Sequence, residues 1–259
     1  MKKPFYNVLV VTIGVSVICL SCACFPVRGN GSMLTSEKPV SPFESILVSG
    51  SAAINYHESQ EYRAVVTVDS NLDEYVRVYT RDGVLVVTTK SGRSYRFTQY
   101  TVDVYAPSLN GLTVSGSTRF EAKDKVISPG FRLSISGSGK TKGDFECETF
   151  KITISGSGDV SGNIVCNRLE IGVSGSGELS PTGSCNEMDI TISGSGTITA
   201  NEFEARNANV RVSGSARIYI WVLDNLKANV SGSGRVRYKG NPKVEYSGSG
   251  SGRLESDGK

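Results

Sequence analysis

Three cysteines recur at a constant interval. Cys147, Cys166 and Cys185 lie 19 residues apart along the sequence. Thiols at a fixed spacing can ligate a metal, form a disulfide, or stack as small buried side chains. No histidine or carboxylate shares their position in the repeat, and in-register parallel neighbours have parallel Cβ vectors, which suit a disulfide badly. We therefore predict a core column of free thiols, with one disulfide or a metal as the alternatives.

Carboxylates are the second candidate for chemistry, because glycoside cleavage uses two of them across a cleft. The candidate groups are Glu146 with Glu148, Glu202 with Glu204, and Asp69 with Asp73 and Glu74. None of these groups converges with another recognisable motif. The single histidine, His57, has no nearby serine or cysteine in a nucleophile motif. We predict a protein without catalytic residues, metal or cofactor.

Aromatic residues beside arginines could contact a sugar or a peptide. The candidates are Tyr95, Phe97, Tyr100 and Tyr105 near Arg93 and Arg96, and the pair Tyr219 and Trp221. Packing inside a core or a cap is the favoured interpretation of both groups, and ligand binding is the alternative.

The glycines and serines of the chain are periodic rather than scattered. The 29 glycines and 36 serines make up about a quarter of the 259 residues, a composition that would indicate disorder if it had no period. The triplet Ser-Gly-Ser begins at Ser49, Ser115, Ser136, Ser155, Ser174, Ser193, Ser213, Ser231 and Ser247. From Ser115 to Ser213 the copies lie 19 to 21 residues apart, and self-similarity at such a period is typical of a solenoid.

Apolar residues alternate before each triplet, as in the sequence Phe150-x-Ile152-x-Ile154. This period of two predicts strands with one buried face. Nineteen residues at about 3.3 Å each make a coil about 60 Å around, the size of one rung of a parallel β-helix. We predict an all-β fold, with a parallel β-helix solenoid of about 19 residues per rung over residues 111–259. The triplet glycines would then stack as a turn ladder of Gly137, Gly156, Gly175, Gly194, Gly214 and Gly232.

The segment before these repeats has a different pattern. Residues 43–110 contain short alternating strands and an Asp82-Gly83 hairpin signal, which predict an N-terminal antiparallel β region that either forms a separate layer or caps the solenoid. A solenoid needs such a cap, because its end rung otherwise exposes strand edges and core. Residues 70–74 predict either one helical turn or an Asx-type turn. Residues 23–42 contain glycine and proline without an apolar period, which predicts a flexible tether.

The N-terminus has the pattern of an export signal. A short basic start precedes a nearly continuous apolar run over residues 8–20, too short to span a bilayer and suited to a signal-peptide core. The small residue Ser21 then precedes Cys22, as at a bacterial lipoprotein cleavage site. We predict a lipoprotein-type signal peptide over residues 1–22, with acylation of Cys22. Cys24 is the alternative acylation site, and an ordinary secretory signal is the alternative to lipidation.

The motifs together resemble a bacterial family. The Ser-Gly-Ser-Gly copies, the step Tyr105-Ala-Pro-Ser-Leu109 and the ending Val236-x-Tyr238-x-Gly240-Asn-Pro242 are similar to those of the "putative auto-transporter adhesin, head GIN domain" family. The resemblance covers residues 43–252. It implies a right-handed β-helix, an envelope location and a role in adhesion, and it supplies no catalytic residues.

Basic and acidic residues are nearly balanced in the chain. With 28 basic and 25 acidic residues, the chain lacks the basic excess of a nucleic-acid-binding protein. We expect an exported, non-catalytic adhesin or binding scaffold of the cell envelope, held as an outer-membrane lipoprotein. Its partners would be the membrane, through the lipid anchor, and an unknown protein or glycan. The alternatives are a β-helix protein that binds or cleaves polysaccharide and a purely structural envelope protein.

Overall fold

The computed structural model describes residues 26–258 of the chain. The predicted signal peptide and the two candidate acylation sites, Cys22 and Cys24, lie outside the described residues. Strands make up 73% of the structure. A 3-10 turn at Asp73–Tyr75 is the one helical element in the described part of the chain, and it overlaps the segment 70–74, for which the sequence predicts a helical or an Asx-type turn.

The strands follow one another with short connections. The first eleven are β1 Val27–Arg28, β2 Met33–Lys38, β3 Ser45–Gly50, β4 Ala53–Glu58, β5 Arg63–Asp69, β6 Val76–Arg81, β7 Val84–Thr89, β8 Tyr95–Arg96, β9 Tyr100–Ala106, β10 Gly111–Gly116 and β11 Arg119–Ala122. The remaining ten are β12 Val126–Gly137, β13 Lys140–Lys142, β14 Phe145–Gly156, β15 Asp159–Gly175, β16 Glu178–Gly194, β17 Thr197–Gly214, β18 Arg217–Gly232, β19 Arg235–Lys239, β20 Lys243–Gly250 and β21 Arg253–Ser256.

These strands coil into a parallel solenoid of about eight turns with about 19 residues in each, which confirms the predicted fold. Ile152 on β14 pairs in register with Leu133 on β12 and with Ile171 on β15. The column continues through Ile190 and Val210, and all five side chains are buried. Because in-register residues point the same way, the apolar alternation of one rung repeats at every level. The result is one continuous core along the coil.

Three phenylalanines of two neighbouring rungs meet in the core. The ring centroids of Phe131, Phe145 and Phe150 lie 4.9 to 5.2 Å apart, and all three side chains are fully buried. Burial of each contributes roughly 1.5–3 kcal/mol relative to exposure.

One corner of each rung is formed by the triplet glycine. Gly156 has a φ of +129°, a conformation that residues with a Cβ atom rarely adopt. The glycines of this column have φ between +96° and +144°: Gly137, Gly156, Gly175, Gly194, Gly214 and Gly232. Through most of the repeat, the serines on either side of this column are exposed. The corner is therefore a ridge of backbone bordered by hydroxyl groups.

The solenoid begins earlier in the sequence than predicted. β3 pairs in parallel with β10, and β4 pairs in parallel with β11. Residues 45–58 therefore belong to the coil and not to a separate region over 43–110. The triplet at Ser49 lies in register with the triplet at Ser115. Residues 59–110 are inserted in the sequence between these two levels and pack on the opposite side of β3 and β4, and this long insertion conceals the repeat.

The predicted antiparallel cap exists, but it is mixed with parallel strands. β7 and β9 continue the parallel stack on β3 and β4. The other cap strands add to β7 and β9 in antiparallel order: β6 pairs with β7, β5 with β9, and β2 with β5. The hairpin between β6 and β7 turns at Asp82 and Gly83, with φ of +50° and +73°, as the Asp-Gly signal predicts.

Residues 26–42 are not the flexible tether that their composition predicts. β1 pairs with β8, and β2 pairs with β5. β2 is mostly exposed, so its side chains show no apolar period. Main-chain hydrogen bonds to the edge of β5 fix its position, and a side-chain pattern does not record such bonds.

The last rung also differs from the prediction. Ser231 pairs with Ser249, so the final triplet of the column begins at Ser249 and not at Ser247. The side chains of Val244 and Tyr246 continue the core columns but are 38% and 45% exposed. No described strand lies beyond them, so this end of the coil is open.

Candidate binding surface

The three cysteines stack in one column. Cys147 pairs in register with Cys166, and Cys166 pairs with Cys185. All three are free; Cys185 is buried and the other two are half-buried against the core. The thiol of Cys185 donates a hydrogen bond to Cys166, which lowers the pKa of Cys166 and raises that of Cys185, while burial raises the pKa of Cys147 to about 12. Among residues 26–258, no group of three or more histidine, cysteine or acidic side chains is arranged to hold a metal ion.

The first pair of candidate carboxylates is tied to the neighbouring rungs. Glu146 lies 2.6 Å from the ammonium group of Lys125, and Glu148 accepts a hydrogen bond of 2.7 Å from the side-chain amide of Asn167. Both contacts link adjacent turns of the coil. These acids therefore form ladder contacts on the outer surface rather than facing one another across a cleft.

The remaining acids also fail to converge. Glu202 is exposed and Glu204 half-buried, with buried Phe203 between them. Asp73 pairs with Lys38 at 2.8 Å, which fastens β2 beside the 3-10 turn. This arrangement provides no acid–base pair.

Asp69 is a buried acid with a structural environment. Its side chain is fully buried, and its two oxygens accept hydrogen bonds of 2.8 Å from the backbone N–H groups of Gly31 and Thr98. Burial alone would raise its pKa, but the hydrogen bonds from Thr98 and Gly31 outweigh that effect, and the pKa lies below its ordinary value. Asp69 thereby joins the segment after β1 to the segment after β8.

His57 joins β4 to β9. Its ring stacks on Tyr105 with centroids 4.8 Å apart, and its Nε2 lies 3.6 Å from Oδ1 of Asp103. The same oxygen accepts a hydrogen bond of 2.8 Å from the amide of Asn55. No nucleophilic hydroxyl or thiol takes part in these contacts, so the arrangement is that of a cross-strand structural cluster.

The aromatic residues near the N-terminus pack on one another. The ring centroids of Tyr75 and Tyr95 lie 5.2 Å apart, those of Tyr95 and Phe97 6.1 Å, and those of Phe97 and Tyr100 4.7 Å. This chain of rings fills the space between the cap strands and the β8 segment. Packing is therefore the main role of this group.

The C-terminal pair of aromatic residues lies beneath cations of the next rung. The ammonium group of Lys239 lies 3.9 Å from the ring centroid of Trp221, and the guanidinium of Arg237 lies 5.9 Å from that of Tyr219. Both rings are half-buried. They contribute to the surface but do not form an uncovered platform for a sugar ring.

A row of paired charges lies on the side of the coil that leads into the triplets, which we call the charged face. Lys151, Glu170 and Asp189 form one outward row on consecutive rungs. Arg168 pairs with both acids, and Lys151 lies 3.1 Å from Glu170. Hydrogen bonds from Lys151 and Arg168 hold the pKa of Glu170 below its usual value. The row has the same 19-residue interval as the cysteines, which was the sequence signal that could have identified it.

A shallow groove of about 550 Å³ runs across the charged face. Arg211 lines it next to Thr191 and Asn209, and the amide of Asn209 donates to Asp189 at 3.2 Å. The groove thus presents fixed donors, acceptors and charges to an extended polar ligand.

The family of the chain follows from comparison with known proteins. The model of the family described as "Putative auto-transporter adhesin, head GIN domain" matches residues 42–242. The chain belongs to this family. Head GIN domain membership confirms the resemblance seen in the repeats, and the match includes both the solenoid and most of the cap.

Solved structures similar to this head GIN domain protein are described as binding or adhesion proteins. A protein from Parabacteroides distasonis, described as a putative lipid binding protein, is 28% identical with a TM-score of 0.86, over 89% of this chain and 99% of its own. A putative adhesin from Parabacteroides merdae is also 28% identical, with a TM-score of 0.82 over 89% of this chain and 98% of its own. No curated protein matches the sequence.

In the described part of the chain, none of the helices has the length and apolar character needed to cross a membrane.

Proposed function

We propose that this head GIN domain protein is a non-catalytic adhesin or binding scaffold, exported to the cell envelope and held there by a lipid on Cys22. The observation that carries the binding role is the charged face, where charged side chains are fixed by pairing between rungs over a long, shallow surface. The adhesin description of the family and the binding descriptions of its structural relatives support the same role.

The charged face suits binding better than catalysis for a physical reason. Lys151 and Arg168 donate hydrogen bonds to Glu170, and these hold the pKa of that carboxyl group below its ordinary value. A general acid needs the opposite, a carboxyl group whose pKa is raised towards neutrality. Paired, rigid polar groups instead favour recognition, because fewer side-chain motions are lost when a ligand binds.

An array of glycans and matrix proteins tests the binding role. We expect the purified protein to bind a subset of the array and to leave the ligands intact. Arg211→Glu should abolish this binding by reversing a charge in the groove. Arg217→Glu, an equally exposed change on another side of the coil, should retain it. Absence of binding by the wild type would contradict the proposal, and depolymerised glycan would favour the polysaccharide-cleaving alternative.

Metabolic labelling with a radioactive fatty acid tests the anchor separately. We expect labelled wild-type protein in the membrane fraction, and loss of the label in Cys22→Ala. Cys24→Ala is the matched control and should keep the label; the reverse result would move the acylation site to Cys24. A label that survives both changes together, or no label on the wild type, would refute lipidation.

A further inference from the structure

We propose that a basic patch at the N-terminal end of the solenoid binds anionic phospholipid headgroups and orients the protein on its membrane. The patch consists of Arg28, Lys90, Arg93 and Arg96, all of which are exposed. The proposal deepens the proposed function, because it rests on the lipid anchor to bring this end of the protein to the bilayer.

The centre of the patch is a pair of arginines side by side. Arg28 on β1 pairs in register with Arg96 on β8 in a two-stranded parallel sheet. Paired residues of neighbouring strands project from the same side of the sheet, where like charges repel. Among residues 26–258, neither guanidinium has an ion pair with an acidic side chain. Two adjacent guanidinium groups without an acidic partner present the fork-like donors that recognise a phosphate.

The acid that lies between the two segments forms no ion pair with either arginine. Asp69 is fully buried, and its oxygens accept hydrogen bonds from the N–H groups of Gly31 and Thr98. These bonds hold the segments that carry Arg28 and Arg96 next to each other. The fold therefore fixes the like-charged pair in place and leaves the outer sides of both guanidinium groups to solvent.

Aromatic side chains border the patch. Tyr95 and Phe97, which flank Arg96 in the sequence, are half-buried, and the ammonium group of Lys90 lies 5.2 Å from the ring centroid of Tyr75. Tyrosine is enriched at the level of the lipid headgroups, because its ring is apolar and its hydroxyl is polar. Cations interleaved with partly exposed rings match the chemistry of a bilayer surface.

The position of the anchor places this patch close to the membrane. β1 begins at Val27, five residues after Cys22, and five extended residues span at most about 18 Å. Acylation at Cys24 would shorten the connection further. The occupant of the patch is therefore the bilayer that contains the acyl chains, and each cation near an anionic surface increases partitioning about fivefold.

Vesicle sedimentation with a chain that begins at Ala23 tests the patch without the acyl group. Every buried residue of the hydrophobic core lies between Phe43 and Val236, so this chain keeps the described fold. We expect binding to vesicles of phosphatidylcholine with phosphatidylglycerol, weakening as salt is added, and no binding to phosphatidylcholine alone. The double change Arg28→Gln with Arg96→Gln should lower the partition coefficient roughly 30-fold.

A second arginine pair, of which Arg235 also lies 3.7 Å from Glu255, provides the control. Arg217 and Arg235 also lie in register, on β18 and β19, far along the chain from the anchor. Arg217→Gln with Arg235→Gln should leave vesicle binding unchanged. Equal loss in both double variants, or equal binding to neutral and anionic vesicles, would overturn the proposal. The outcome is independent of the anchor: fatty-acid labelling without vesicle binding refutes the patch alone, and vesicle binding without labelling refutes the anchor alone.

Discussion

A methyl group on Gly156 would lie 2.5 Å from the carbonyl oxygen of Gly137 on the preceding rung. That oxygen accepts a hydrogen bond of 2.8 Å from the N–H group of Ser157. Two rungs therefore meet backbone to backbone at this corner, with no room for a side chain between them. Each triplet glycine therefore lies directly over the one before it, although the number of residues between them varies from rung to rung.

Gly156→Ala should consequently destabilise the protein by at least about 2 kcal/mol, through the positive φ and the clash with a backbone atom that cannot move freely. Thermal or guanidinium unfolding measures the change. Gly172→Ala is the control, because a Cβ atom there meets its nearest neighbour at 3.9 Å. Its effect should stay within about 1 kcal/mol. Equal stability of the two variants would contradict the close stacking of the corners.

Asp69→Asn should release the β1 segment from the cap, because an amide offers an N–H group where the carboxylate accepts hydrogen bonds from Gly31 and Thr98. The pKa of Asp69 lies below its ordinary value in the folded protein, so its stabilising contribution is present above the unfolded pKa of about 3.9. That contribution is lost as the pH falls through the folded pKa. Amide hydrogen exchange of Gly31 and Thr98 measures both effects.

In the wild type, exchange at these two amides should accelerate, relative to the core, only in acid. In Asp69→Asn it should be fast at neutral pH as well. Asp159→Asn, which removes a half-buried acid 3.3 Å from Lys140, should leave the protection of both amides unchanged. Full protection in Asp69→Asn would show that the carboxylate does not hold the segment.

The cysteine column should react unevenly with iodoacetamide. Cys166 has a lowered pKa, whereas burial raises the pKa of Cys147 to about 12 and that of Cys185 is also raised. At about pH 8 only roughly one Cys147 thiol in ten thousand is ionised, so Cys166 should be labelled first. Peptide mass analysis after brief labelling identifies the site. Cys185→Ala removes the hydrogen bond to Cys166 and should slow its labelling; first labelling of Cys147 would contradict the assignment.

Trp221 is the single tryptophan of the chain, so its fluorescence reports on one rung near the open end. Lys239→Ala should increase quenching of this fluorescence by acrylamide, because the lysine side chain covers the ring. Lys239→Met should retain most of the protection, since its unbranched chain covers the same ring without the charge. Unchanged quenching in Lys239→Ala would contradict the contact.

The solenoid could be predicted from the sequence because identical or similar side chains recur at the same position of successive rungs. Cys147, Cys166 and Cys185 recur at 19 residues, and the structure places them in one column. Such an interval predicts both the strand and the strand with which it pairs, because residues stacked in register share the same surroundings and are of similar type. The charged face was not predicted from the sequence. Lys151, Glu170 and Asp189 occur at the same interval, but they are different residue types, so no repeated residue marks their positions.

The cap and the open end could be predicted only in part, because their pairing depends on main-chain groups. β2 has a polar, mostly exposed sequence, and nothing in its residue types specifies β5 as its partner. At the other end, two overlapping Ser-Gly-Ser triplets start at Ser247 and Ser249. The stacking of Ser249 on Ser231 decides between them, and that contact is visible only in three dimensions.

The direction of the hydrogen bonds gives the solenoid a mechanical property. The bonds between β17 and β18, and between β18 and β20, run along the axis of the coil. A pull between a membrane at the cap and a ligand near the open end would load these bonds along their length. The chain would then unwind from the open end, one turn at a time. Each released turn of about 19 residues would add about 60 Å of extended chain between the two points of attachment. A solenoid anchored in this way would lengthen under load in steps of one rung.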